Sequence, residues 1–78
     1  MKDWKGRLAY ETMQLAEKCN KLNDYMRTQA FYELPRIDKD LLYEQYHAML
    51  NYLQVLGKRC ELYGIKLKIE KEENDKNE

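Results

Sequence analysis

Seventy-eight residues make at most one domain, and a chain this short buries only about 60% of the surface its unfolded form exposes. Fourteen basic residues balance fourteen acidic ones, so no whole-molecule field draws the protein toward DNA, RNA or an anionic membrane. Two cysteines and one histidine cannot complete a four-ligand zinc site without carboxylates, and neither Cys19 nor Cys60 has a ligand-spaced neighbour, so no metal or cofactor is expected.

The apolar runs reach only three or four residues, and the opening MKDWKGRLAYE has no hydrophobic stretch. Neither a leader peptide nor a membrane span is expected, and a cytoplasmic location follows, with both thiols reduced and packed as small hydrophobes. A chain of this size needs a staple, and the two available are regular helix packing and association with its own copies.

Residues 3–30 form the first predicted helix. Leu8, Leu15, Cys19, Leu22 and Met26 recur at steps of seven, four, three and four, with Thr12 filling the gap, and Ala9, Ala16 and Ala30 flank the stripe. The remaining positions are mostly Lys, Glu, Asn, Gln and Asp, so one face is buried and the other wet. The cluster Glu33, Leu34, Pro35, Arg36 and Ile37 reads as the connection, because Pro35 cannot continue a helix.

The second helix is predicted to open at Asp38, whose carboxylate accepts from the free amides of the first turn, with Ile37 packed on Leu42 as a staple. Leu42, Tyr46, Met49, Leu53, Leu56, Cys60 and Tyr63 then follow steps of four and three, the pattern of a helix packed along a seam. Gly57 lies off that seam and marks either a weak point or a close backbone approach.

A second stripe, Leu41, Ala48, Tyr52, Val55 and Leu62, runs beside the first, so the apolar arc covers about 200° of the helix. The first helix, folded back antiparallel, buries one stripe. The other is left for a second subunit or for the terminal segment of the same chain. The fold expected is therefore all-α: an antiparallel two-helix hairpin that oligomerises through its second helix.

After Gly64, a suitable helix terminator, residues 65–70 alternate strictly and read as a short extended segment. It is predicted to pair as a strand with another chain, to lie on a neighbour, or to continue the helix. One domain thus spans residues 1–70, and the charged residues 71–78 form a solvated tail. In the antiparallel pair Cys19 and Cys60 stand about 16 Å apart along the axis, too far for a disulfide.

No catalytic constellation emerges. The chain has no serine, the one histidine, His47, sits on a helix face between Tyr46 and Ala48, and carboxylates such as Glu17 have a lysine one turn away. No glycine-rich phosphate loop is present. The unusual feature is seven tyrosines and one tryptophan, several off the seams. Tyr10 and Met13 lie opposite the first stripe near Trp4 and Arg7, and Tyr43 lies beside the second seam at the loop end. Rings beside Lys or Arg stack a base and hold a phosphate; rings with wet hydroxyls also simply cap apolar edges.

The segments YETMQLAEKCNKLNDYM, FYELPRID and LLYEQYHAMLNYLQVLGKR, with Leu41, Leu42, Gln45, Met49, Tyr52 and Leu56 in the arrangement LLxxQxxxMxxYxxxL, resemble small helical-hairpin proteins of tailed and crAss-like phages. More distantly, the layout is similar to the hairpin domain of phage anti-CBASS and anti-Thoeris sponge proteins. That resemblance implies a homo-oligomer in the host cytoplasm that sequesters a cyclic nucleotide-type immune signal between subunits without cleaving it. It also implies ligand contacts from a tyrosine early in the first helix and a lysine further along, positions matched here by Tyr10 and by Lys18 or Lys21. The alternatives are a module that inhibits a host defence protein through the spare stripe, and an accessory structural phage protein.

Overall fold

A computed structural model describes residues 3–67. Three helices follow one another: α1 (Trp4–Tyr25), α2 (Gln29–Tyr32) and α3 (Arg36–Leu62). No strand occurs among the described residues. The long helices α1 and α3 pack side by side in opposite directions. Trp4, at the start of α1, meets Tyr63, just past the end of α3, edge to face at 4.8 Å. Leu8 joins Leu56 and Cys60 in one buried cluster, with Leu15 against it.

The stripe read along the first helix is the buried one. Leu8, Thr12, Ala16, Cys19 and Met26 are buried, and Leu15 and Leu22 are half-buried. A hydroxyl in such a stripe needs partners, since an unpaired buried polar group costs about 1–3 kcal/mol. Thr12 Oγ1 donates to the Leu8 carbonyl at 2.7 Å. With its single proton committed there, it accepts from the Cys60 thiol at 3.5 Å. Both cysteines are free and buried, and burial pushes the Cys19 thiol above its ordinary range, which keeps it protonated and unreactive.

The first helix is shorter than its periodicity predicts. It ends at Tyr25 instead of reaching Ala30, and α2 starts as a separate turn. The cause is Thr28, which competes for the backbone: its hydroxyl donates to the Tyr25 carbonyl at 2.6 Å and accepts from the Phe31 amide at 3.3 Å. The chain around it closes into a tight turn, with Arg27 N donating to Asp24 O and Thr28 N to Tyr25 O. Thr28 thereby caps α2 and turns Phe31 inward, where it is 0% exposed.

The start of α3 also differs from the expectation. The helix begins at Arg36, so Asp38 lies within the first turn and is not its cap. Pro35 stands in the capping position with φ −58° and ψ 152°, and its carbonyl accepts from Asp38 N at 3.0 Å and Lys39 N at 3.1 Å. Proline suits this boundary because it lacks an N–H and its φ is already set. Ile37, now inside the turn, is exposed and does not form the expected staple.

At the other end, Gly64 adopts φ 68°, the left-handed conformation a glycine reaches without strain. Ile65 N donates to Cys60 O at 2.8 Å and Gly64 N to Glu61 O at 3.1 Å, the paired bonds of a Schellman ending. That ending folds Ile65 and Leu67 back against the Leu8, Leu56 and Cys60 cluster. Residues 65–67 are therefore irregular chain packed on their own core within one subunit, while the rest of the alternating segment and the charged tail lie outside the described residues.

Gly57, in the interior of α3, has nothing within 4 Å of where a Cβ would stand. Within the chain it is a weak point and not a close approach. Gly57→Ala is expected to stabilise the protein by about 1 kcal/mol through helix propensity and reduced unfolded-state entropy. A thermal melt followed by circular dichroism checks this, and a lowered midpoint would mean that another backbone approaches Gly57 after all.

Candidate binding surfaces

Along α3 the two apolar stripes part company. Leu56 and Cys60 are buried, and Leu42, Tyr46, Met49 and Leu53 are half-buried against the rest of the chain. Tyr63, assigned to the same seam, is exposed just past the helix end, where its ring meets that of Trp4 at nearly a right angle. Leu41, Ala48, Tyr52, Val55 and Leu62 are all exposed, Val55 at 53% and Leu62 at 73%. The described residues of one chain thus leave the second stripe uncovered.

One bond ties this stripe to α1: the Tyr52 hydroxyl donates to the Glu11 carboxylate. The bond to Glu11 raises the Tyr52 phenol above its ordinary range, so the ring stays protonated and fixed at physiological pH. Glu11 lies seven residues from Lys18, and Arg7 lies eleven from Lys18, so at about 100° per residue all three run along one flank of α1. That flank borders the Tyr52 stripe. Tyr10 and Lys21, also eleven residues apart, form the next line outward, with Tyr10 66% exposed.

Arg7 and Lys18 therefore border the spare stripe, whereas Tyr10 and Lys21 lie further round α1, toward the face turned away from α3. They do not close into a pocket within the chain, since Arg7 and Lys21 are separated by about 21 Å of helix at 1.5 Å per residue. Tyr43 is not with them. It stands nine residues from Tyr52, which places it on the opposite side of α3.

Tyr43 instead lines a shallow, open depression of about 310 Å³ at the connection end, together with Phe31, Tyr32, Arg36, Lys39 and Asp40. Phe31 is its floor. Tyr25, Tyr32 and Tyr43 meet the Phe31 ring edge to face, with centroids 6.1, 5.7 and 5.5 Å away. Lys39 Nζ donates to the Tyr32 carbonyl at 3.2 Å, and Arg36 Nε donates to Asp40 Oδ1 at 3.3 Å, an exposed pair one helical turn apart. Sequence reasoning placed Phe31 and Tyr32 in the loop motif without assigning them a role. The signal available was two aromatic residues directly before Pro35 with Arg36 and Lys39 just after it.

His47 is exposed beside Tyr46, ring centroids 6.0 Å apart. Among the described residues no group of three or more His, Cys, Asp or Glu side chains is placed to hold a metal ion. No described helix is long and apolar enough to cross a membrane.

No curated protein and no solved structure matches the chain. One family model does, over residues 2–62, and its match ends where α3 ends, leaving out the segment that folds back after Gly64. A match over most of the chain shows the family: this protein belongs to the Sequestin family.

Proposed function

We propose that this Sequestin-family protein is a non-enzymatic, phage-encoded binding protein that counters host antiviral defence by sequestering a cyclic nucleotide-type immune signal between its subunits. The family's name denotes sequestration, a binding role and not a catalytic one. The observation that carries the reading is the Tyr52–Glu11 bond, which sets the Arg7 and Lys18 flank of α1 beside the exposed Leu41, Ala48, Tyr52, Val55 and Leu62 stripe, with Tyr10 and Lys21 one line further round the helix. When a second subunit covers the stripe, two such basic, aromatic flanks border the same boundary. A cyclic nucleotide offers phosphates to the cations and base faces to the rings.

Native mass spectrometry of the purified protein with cyclic dinucleotides, cyclic trinucleotides and cyclic ADP-ribose tests this directly. The expected result is an oligomer carrying one of these ligands, recovered chemically unchanged after the protein is denatured. A protein that retains none of them, or that returns a cleaved product, removes the proposal.

A further inference from the structure

We propose that the depression at the connection end is a separate binding site, complete within one subunit, for a nucleoside phosphate: the base lies on the Tyr32 and Tyr43 rings and the phosphate on Arg36 and Lys39. This site is on the opposite side of α3 from the stripe assigned to the subunit boundary, so it does not depend on a second chain.

Four features of the depression support it. The floor is rigid, because Phe31 is wholly buried and both wall tyrosines rest edge to face upon it. The rings are nevertheless available, Tyr32 and Tyr43 both being exposed. Flat, partly exposed rings fixed from behind are a stacking platform for a base.

The cations are held but not used up. Arg36 engages Asp40 through Nε alone, which leaves the other guanidinium N–H groups for phosphate oxygens, and its side chain is 85% exposed. Lys39 is held through one N–H on the Tyr32 backbone carbonyl, which leaves two donors on an ammonium that lines the same depression. Two cations against one carboxylate, Asp40, leave one net positive charge in the lining. Asp40 in turn is an acceptor for a ribose hydroxyl or a base amino group.

Size sets how much of a nucleotide the depression covers. Ligand pockets usually span about 300–1,000 Å³, and this one, at about 310 Å³, lies at the small end. It matches one nucleoside phosphate unit and not a dinucleotide enclosed whole.

The test is a titration of the full chain with AMP, adenosine and inorganic phosphate, followed by calorimetry or backbone amide shifts. AMP is expected to bind at one per chain, at least about tenfold more tightly than adenosine or phosphate, since ring and charge contacts combine. Arg36→Glu and Lys39→Glu are each expected to weaken AMP by about tenfold or more, the loss of a charged hydrogen bond. Lys58→Glu, a charge change elsewhere on exposed α3, leaves AMP affinity unchanged. Raising salt to about 0.5 M weakens the wild type and flattens the difference between it and Arg36→Glu. AMP binding no tighter than adenosine, or undiminished in both loop-end variants, overturns the assignment. The subunit-boundary proposal is read separately, through cyclic-nucleotide retention in Lys18→Glu.

Discussion

Phe31→Ala is expected to cost about 3–5 kcal/mol, the usual penalty for removing a buried aromatic ring. Phe31 is 0% exposed and is the ring on which Tyr25, Tyr32 and Tyr43 converge. No alanine at that position touches them, and α2, a single turn held by Thr28, has no other buried side chain. Stabilities of about 0.05–0.15 kcal/mol per residue give a chain of this length roughly 4–12 kcal/mol in total. The substitution therefore removes a large part of the margin. Urea denaturation at one fixed protein concentration measures it, because association contributes to apparent stability. Tyr32→Ala is the comparison: its ring is mostly exposed, so a loss of well under half that for Phe31→Ala is expected. A Phe31→Ala loss below about 1 kcal/mol would mean that the aromatic cluster packs onto the helices without holding them.

This residue also marks where the sequence is hard to read. The helical stripes of α1 and α3 were legible because 3.6-residue periodicity over 22 and 27 residues has no competing explanation. Phe31 belongs to neither stripe. It is buried because Thr28 stops α1 and restarts the chain as α2, a local hydrogen-bond competition that periodicity does not register. Asp38 was misplaced as a cap for a related reason: a side-chain cap is the strongest sequence signal for a helix start, but Pro35 takes the capping position three residues earlier. The alternation after Gly64 has the period of a strand, and the Schellman bonds use the same apolar residues, Ile65 and Leu67, to close the end of the core. Of the candidate ligand residues, Tyr10 was read by spacing as lying opposite the buried stripe and is exposed, while Lys18 and Lys21 came from the family resemblance. Tyr43 was grouped with them by composition and lies in a different site, because the partners that define it, Tyr32, Arg36 and Lys39, come from around the connection.

Val55→Asp is expected to convert an oligomer to single chains. Val55 sits on the spare stripe, 53% exposed in the isolated chain, so a carboxylate there reaches water in the monomer and costs it little. At a subunit boundary the same carboxylate becomes a buried charge without a partner, at a cost of about 3–5 kcal/mol, or more than a hundredfold in dissociation constant. Native mass or light scattering across a dilution series measures the shift, and Gln54→Asp supplies the control, being a carboxylate one residue away on a different, polar face of α3. The far-ultraviolet spectrum of diluted Val55→Asp should match that of the wild type, since Val55 is exposed and the stripe's bond to α1 runs through Tyr52 instead. A wild type that stays a single chain at every concentration would refute the assignment of the stripe to self-association. The two binding proposals then separate. If a cyclic nucleotide is held between subunits, Val55→Asp loses it together with the oligomer, whereas AMP at the loop-end depression is retained, because every group that lines it belongs to one chain.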